Sequence, residues 1–334
     1  MRVTRETLLK LANDFVGQRV RSDRTLLGVF LQGALLEDEP LLGGITDIDL
    51  FLVHSDAALQ AREVVRISDE IHLDVAHHAR SQYRQPRDLR RQTWMGHCIN
   101  GGKIIYDPPH FLDFTQASVR GQFDRADHVL IRSRARLEHA RQIWQELQEN
   151  MPPAPGAQEL VQYFRAVEHA ANAVAGLSGP PLTERRFLQQ FPPRAAAIQR
   201  PGLAAGLLGL LGGTQVDVEQ MRSWLPEWQA DYQVLTTENA PTRLHPHRYL
   251  YYLRGIEALL ESSSPQAALW PLLRTWVVLA SCLPSTGTRG AGWQEAAQAL
   301  GLLGEGFKNR IEALDAYLDT IDELLETWGS QHGA

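Results

Sequence analysis

The chain has 334 residues, with 33 basic and 39 acidic side chains and a formal net charge of −6. That length exceeds what one hydrophobic core usually organises, so two domains are expected, and the acidic balance argues against a dedicated nucleic-acid binder. Two cysteines without Cys-x-x-Cys spacing, Cys98 and Cys282, exclude a disulfide framework and a cysteine-based zinc site, and fit a reducing, cytoplasmic setting. No window holds about 18 uncharged apolar residues, so neither a transmembrane helix nor a membrane partner is expected. The opening segment carries Lys10 and Asp14 and lacks a signal peptide's apolar run.

In chain order, Leu8, Leu9, Leu11, Ala12 and Phe15 give one helical face and predict a helix over 4–20. The apolar run 25–31 predicts a strand ended by Gln32-Gly33, and 45–53 (Ile-Thr-Asp-Ile-Asp-Leu-Phe-Leu-Val) is the strongest strand signal in the chain. A short helix is expected over 56–69, a strand over 71–76, a helix from Pro86 through Trp94, and a last strand at 104–106, stopped by Asp107-Pro108-Pro109. Beyond Phe114 the apolar period becomes helical. Helices are expected near 120–150, 157–177, 183–190, 215–222, 247–262, 267–282 and 307–328, with Pro- and Gly-rich breaks at 151–156, 178–181, 191–193 and 285–292. The last helix carries a stripe of Ile311, Leu314, Leu318, Ile321, Leu325 and Trp328. Its alternating spacing suits packing inside a bundle, or a homodimer seam.

The chemistry concentrates in the first third. Residues two apart on a strand share a face, so Asp47 and Asp49 are expected to project together while Ile48, Leu50 and Leu52 bury the other side. Adjacent carboxylates repel and favour a cation. Mg²⁺, which takes carboxylate oxygens together with phosphates, is the economical partner. Asp74, between Leu73 and Val75, repeats the pattern, and three carboxylates meeting at one spot suffice for two metal ions. Upstream, Gly33-Ala34 ends the first strand, with twelve residues between that pair and Asp47. A glycine there lets backbone approach a phosphate. Lys103 is a candidate phosphate contact. His72, His77 and His78 are expected to be satisfied or exposed, and the arginine run 80–91 to be a solvated face.

These residues resemble the nucleotidyltransferase superfamily that includes DNA polymerase β and the aminoglycoside nucleotidyltransferases. The similarity lies in Val29-Phe30-Leu31-Gln32-Gly33-Ala34, then Thr46-Asp47-Ile48-Asp49-Leu50, then Leu73-Asp74-Val75, and covers about residues 25–110. It implies an α+β protein, with a small mixed-sheet catalytic domain over 1–116 followed by an all-α helical bundle over 117–334. It further implies two Mg²⁺ ions on Asp47, Asp49 and Asp74, and ATP or another nucleoside triphosphate held near Gly33, Ala34, Thr46 and Lys103. The activity implied is transfer of a nucleotide to a small hydroxylated acceptor with release of pyrophosphate. Asp74 or a helical-region acid (Glu138, Glu159 or Glu168) would be the base. Ala34 stands where the family usually has serine, whose hydroxyl meets a nucleotide phosphate. That departure leaves open a weakened nucleotide- or partner-binding protein, or a protein-modifying adenylyltransferase.

Overall fold

In the computed structural model, residues 3–56, 60–238, 240–283 and 291–334 are described. The protein is mixed α/β, with a five-stranded mixed sheet in its N-terminal part and a largely helical C-terminal part. It forms two compact units. The first comprises residues 1–128 and 241–255, the second 129–240 and 256–334. The first unit thus runs past position 116 and takes in a segment from much later in the chain.

The first unit opens with helix α1 (Arg5–Ser22), whose N-terminus is capped by Thr4 accepting from the Thr7 amide. Strands β1 (Leu26–Gln32), β2 (Ile48–His54), β3 (Arg62–Arg66), β4 (His72–Ala79) and β5 (Lys103–Tyr106) assemble in the order β3-β4-β2-β1-β5. The β2–β4 pair is parallel and the others are antiparallel. One sheet face, carrying Val29, Leu31, Ile48, Leu50, Leu52, Leu73 and Val75, packs under Leu8, Ala12 and Val16 of α1. Those three recur every fourth residue and form one stripe, and fully burying a side chain such as Leu8 stabilises the unit by about 1.5–3 kcal/mol. The opposite face, with Phe30, Phe51, Val53 and Ala76, packs against Leu89, Cys98, Ile99 and Leu112. These come from α2 (Pro86–Leu89), α3 (Met95–Gly101) and α4 (Phe111–Arg120).

Several sequence expectations are corrected here. Residues 62–66 form strand β3 where a helix was expected over 56–69, residues 57–59 of that span lying outside the described residues. The adjacent β-branched Val64 and Val65 pair with Asp74 and Leu73 of β4, which fixes the segment in extended form. The helix from Pro86 stops at Leu89 instead of reaching Trp94. Strand β2 begins at Ile48, so Asp47 precedes it. The residues upstream form a hairpin turn in which Leu42 and Ile45 exchange hydrogen bonds of 3.1 and 3.4 Å. Gly43 and Gly44 have φ of 63° and 76°, the positive values that a two-residue loop of type I′ requires.

In the second unit α5 (Ala126–Glu149), α6 (Ala157–Ala175), α7 (Phe187–Ala197), α8 (Gly202–Leu210), α9 (Val218–Gln233), α10 (Tyr249–Leu260), α11 (Leu269–Cys282), α12 (Ala291–Ala299) and α13 (Gly304–His332) follow in order. The first residues of α5 and the first turns of α10 belong to the first unit. Helix α7 continues through Pro192 and Pro193, where a break was expected. Both prolines are exposed, and they sit one turn after Leu188 and Gln189, whose carbonyls go without an intrahelical donor. Of the break expected at 285–292, residues 285–290 lie outside the described residues, and α12 starts at Ala291. Fully buried Trp228, Trp270 and Trp276 sit in the helical core with Tyr163 and Phe164. Ile311, Leu314, Leu318, Ile321 and Leu325 of α13 are buried, and Trp144 of α5 donates to the Ile311 carbonyl at 3.0 Å. Among the described residues no helix is long and apolar enough to cross a membrane.

Candidate metal centre

The three aspartates converge through sheet register. Asp49 on β2 lies directly opposite Asp74 on the parallel strand β4, and opposite Gln32 on β1. Directly opposed residues share a sheet face, so Gln32, Asp49 and Asp74 form one polar row at the end of the face that carries Phe30, Phe51 and Ala76. Asp47 reaches the row from the turn before β2, where the Thr46 hydroxyl donates to its Oδ1 at 3.5 Å. Ligating oxygens of Asp47, Asp49 and Asp74 all lie within 4.8 Å of one another. The row is anchored to α3 through the Gln32 side-chain amide, which donates to the His97 carbonyl at 3.3 Å and to that of Cys98.

Two arginines complete the cluster. Arg62, the first residue of β3, grips Asp74 with both arms of its fork, Nε on Oδ1 and Nη2 on Oδ2 at 2.7 Å. Arg248, from the segment 241–255, bridges two carboxylates: Nη1 donates to Asp74 Oδ2 at 2.8 Å and Nη2 to Asp47 Oδ2 at 3.0 Å. It is buried, with the rings of Tyr251 and Tyr252 at 5.1 and 5.7 Å from its guanidinium carbon. Burial works against its charge, but Tyr252, Asp47 and Asp74 outweigh that and raise its pKa. The segment is held beside the sheet by the ion pair of Arg254 with Glu70 at 2.6 Å. It also packs closely on Gly43, where an added Cβ would stand 2.1 Å from the Arg254 carbonyl oxygen.

Asp49 stands apart from the other two. Among the described residues no hydrogen bond reaches its carboxylate, and burial together with the charges of Asp47 and Asp74 pushes its carboxyl well above the usual carboxylate range. With two guanidiniums set against three carboxyl groups, Asp49 is the one left without a countercharge, so it is the group that holds a proton or takes up a cation. An oxygen-only donor set with a carboxylate lacking a partner fits a hard divalent cation. The fit is incomplete at Asp74, whose two oxygens are already occupied by the arginines.

Gly33 belongs to the cluster for a reason of its own. Its backbone (φ 81°, ψ −166°) lies in a region that is essentially glycine-only, and a Cβ there would stand 1.9 Å from Asp49 Oδ2. The Gly33 amide donates to the Gln32 side chain at 3.0 Å, and only a single 3₁₀ turn, Ala34–Leu36, follows it. Lys103 is exposed at the start of β5, opposite Leu31. Leu31 faces α1, so the register sets Lys103 on the sheet face away from Asp49. Gly33 and Thr46 therefore border the aspartates, Ala34 is one residue removed, and Lys103 is not brought to them.

The histidines have partners. His77 hydrogen-bonds His54 at 3.0 Å and Glu63 at 3.2 Å, and His78 bonds the Tyr83 hydroxyl at 2.7 Å. His72 is buried with its ring edge-on to Tyr251, next to Arg248. From the basic run, Arg90 donates to the Ser118 carbonyl and to Gln122, and with Arg87 and Arg91 lines a polar groove of about 610 Å³. In the helical unit Tyr163 and Phe164 are core residues, Asn172 accepts from the Leu182 amide at 2.8 Å, and Glu168 pairs with Arg274 at 3.7 Å. The two arginines of the cluster are what sequence reasoning missed. Arg62 lies in the stretch read as a helix, and Arg248 is 174 and 201 positions from its partners. Its only local signal is the aromatic run Tyr249 to Tyr252 beside it.

No protein-family model matches the chain, and no curated protein matches it.

Proposed function

We propose that the protein is a metal-dependent nucleotidyltransferase acting on a nucleoside triphosphate and a small hydroxylated acceptor. The observation that carries this reading is the opposition of Asp49 and Asp74 across parallel strands, with Asp47 beside them and ligating oxygens within 4.8 Å. Asp47 and Asp49 would hold Mg²⁺, which when bound supplies charge neutralisation for the triphosphate and polarises its α-phosphate. In the proposed reaction the acceptor oxygen bonds to the α-phosphorus, the bond to the pyrophosphate oxygen breaks, and the acceptor proton passes to a carboxylate or to water. Arg62 and Arg248 supply forked donors suited to phosphate oxygens. Asp74 becomes available as a base only when those forks leave it.

The double variant Asp47→Asn, Asp49→Asn tests the reading. It should abolish Mg²⁺-dependent binding of ATP, followed by calorimetry, while its circular dichroism stays that of the parent; retained binding refutes the assignment. A second reading, a nucleotide-binding protein without turnover, draws support from Ala34 and from the double grip of arginines on Asp74. Pyrophosphate release with a panel of hydroxylated acceptors separates the two. Under the first reading, Ala34→Ser should strengthen nucleotide binding by about 10- to 100-fold, the worth of one hydrogen bond to a charged group.

A further inference from the structure

The geometry points to Arg248 as a specificity-determining residue: it occupies the position between Asp47 and Asp74 that a bridging cation needs, so the site takes a divalent metal together with a polyphosphate and largely refuses the bare ion. This inference rests on the metal-and-phosphate reading of the same aspartates.

The two arms of the guanidinium end on different carboxylates, at 2.8 Å from Asp74 Oδ2 and 3.0 Å from Asp47 Oδ2. A metal held by those same two oxygens would need the lone pairs that the fork now occupies and would stand against a like charge. Arg248 and a bare ion would therefore compete for the same place. Arg62 grips Asp74 from the β3 side and is partly exposed, so it does not close the gap toward Asp47; Arg248, on the Asp47 side, does.

Charge decides what can displace it. With both arginines in place the pocket is at most one negative charge from neutrality, so a lone divalent ion overshoots and also leaves a buried guanidinium without its anions. A polyphosphate brings a negative charge on every phosphoryl group, balances the incoming metal, and gives the displaced fork a new bidentate partner. The rings of Tyr251 and Tyr252 flank the guanidinium from α10, which begins at the next residue, and His72 stands edge-on to Tyr251. The arginine is thereby kept beside the pocket rather than in bulk water. The exchange makes and breaks no covalent bond.

The test uses the full-length chain and calorimetric titration with Mn²⁺ alone and with Mn²⁺ plus inorganic tripolyphosphate. In the parent protein Mn²⁺ alone should bind at least about tenfold more weakly than Mn²⁺ with tripolyphosphate, the worth of one charge-assisted hydrogen bond surrendered. In Arg248→Gln bare Mn²⁺ should bind at least about tenfold more tightly than in the parent, and the benefit of tripolyphosphate should shrink. Arg248→Lys, which keeps the charge but cannot bridge two carboxylates, carries the test should the glutamine variant fail to fold, and should bind bare Mn²⁺ more tightly than the parent. Equal bare-metal affinity in the parent and both variants overturns the inference; if that binding disappears in Asp49→Asn, the metal reading survives it. Absence of Mn²⁺ binding in every variant, with or without tripolyphosphate, overturns both.

Discussion

Replacing Gly33 by alanine perturbs the site through the backbone. The native φ of 81° with ψ of −166° belongs to a region in which a residue with a side chain is strained by about 1–3 kcal/mol. In a unit of roughly 150 residues each kcal/mol moves the melting temperature by about 2–4 °C, so a loss of about 2–12 °C is expected. A second effect is local. The new methyl would stand 1.9 Å from Asp49 Oδ2 and 2.9 Å from its Cγ, so the carboxylate must retreat by about 1 Å or more to reach ordinary contact. Metal–oxygen distances near 2 Å tolerate no such displacement. Mn²⁺–tripolyphosphate binding should therefore weaken by more than about tenfold while the fold persists. Calorimetry and thermal melts of Gly33→Ala, Asp49→Ala and the double variant form a cycle that separates the two effects. In the Asp49→Ala background the glycine change should retain only its backbone strain. A Gly33→Ala protein that melts and binds metal like the parent would refute the reasoning.

Further outcomes follow from the same structure. Asp49→Asn, melted in the presence of a chelator, should be as stable as the parent or a few degrees more stable. Its carboxyl is raised by burial and by Asp47 and Asp74, so ionised Asp49 opposes folding at neutral pH; a clear loss of stability would contradict this. Tyr163→Phe removes the hydroxyl that donates to the Leu210 carbonyl at 2.9 Å. It should cost about 1–3 kcal/mol in thermal or urea unfolding without changing metal affinity, and a change in metal affinity would give Tyr163 a role beyond the core. His78 and His169 are both pulled down to about 4, chiefly by burial. The unfolded chain therefore binds protons that the folded chain refuses, and stability present above about pH 6.5 is lost as pH falls toward 4. Melts across that range should show a shallower loss in His169→Gln, and an unchanged slope would refute its part.

The polar row was legible in the sequence because strand chemistry is local. Alternation alone sets Leu50 and Leu52 on one face and Asp49 on the other, and the same holds for Leu73, Asp74 and Val75. The burial of Leu50, Leu52, Leu73 and Val75 in one cluster agrees with that pattern. Helices α1, α6, α11 and α13 were legible because an apolar stripe with a regular period needs only its own residues to be recognised. Strand β3 was not: five residues with two half-buried valines read as a strand only when β4 lies beside them.

What tertiary structure alone decided is the charge state of the cluster. No local rule links Arg248 to aspartates 174 and 201 positions away, or sets Arg62 on Asp74 across a strand pair. An ion pair depends on distance in space, and its partners carry no mutual mark in sequence. The sequence by itself determined that Asp49 and Asp74 are placed on strands with Asp47 just ahead of the first, and that a glycine stands before them. The fold decided that they meet, that Gly33 must lack a side chain because Asp49 fills its place, and that two guanidiniums pair with Asp74 and Asp47 while Asp49 is left without one.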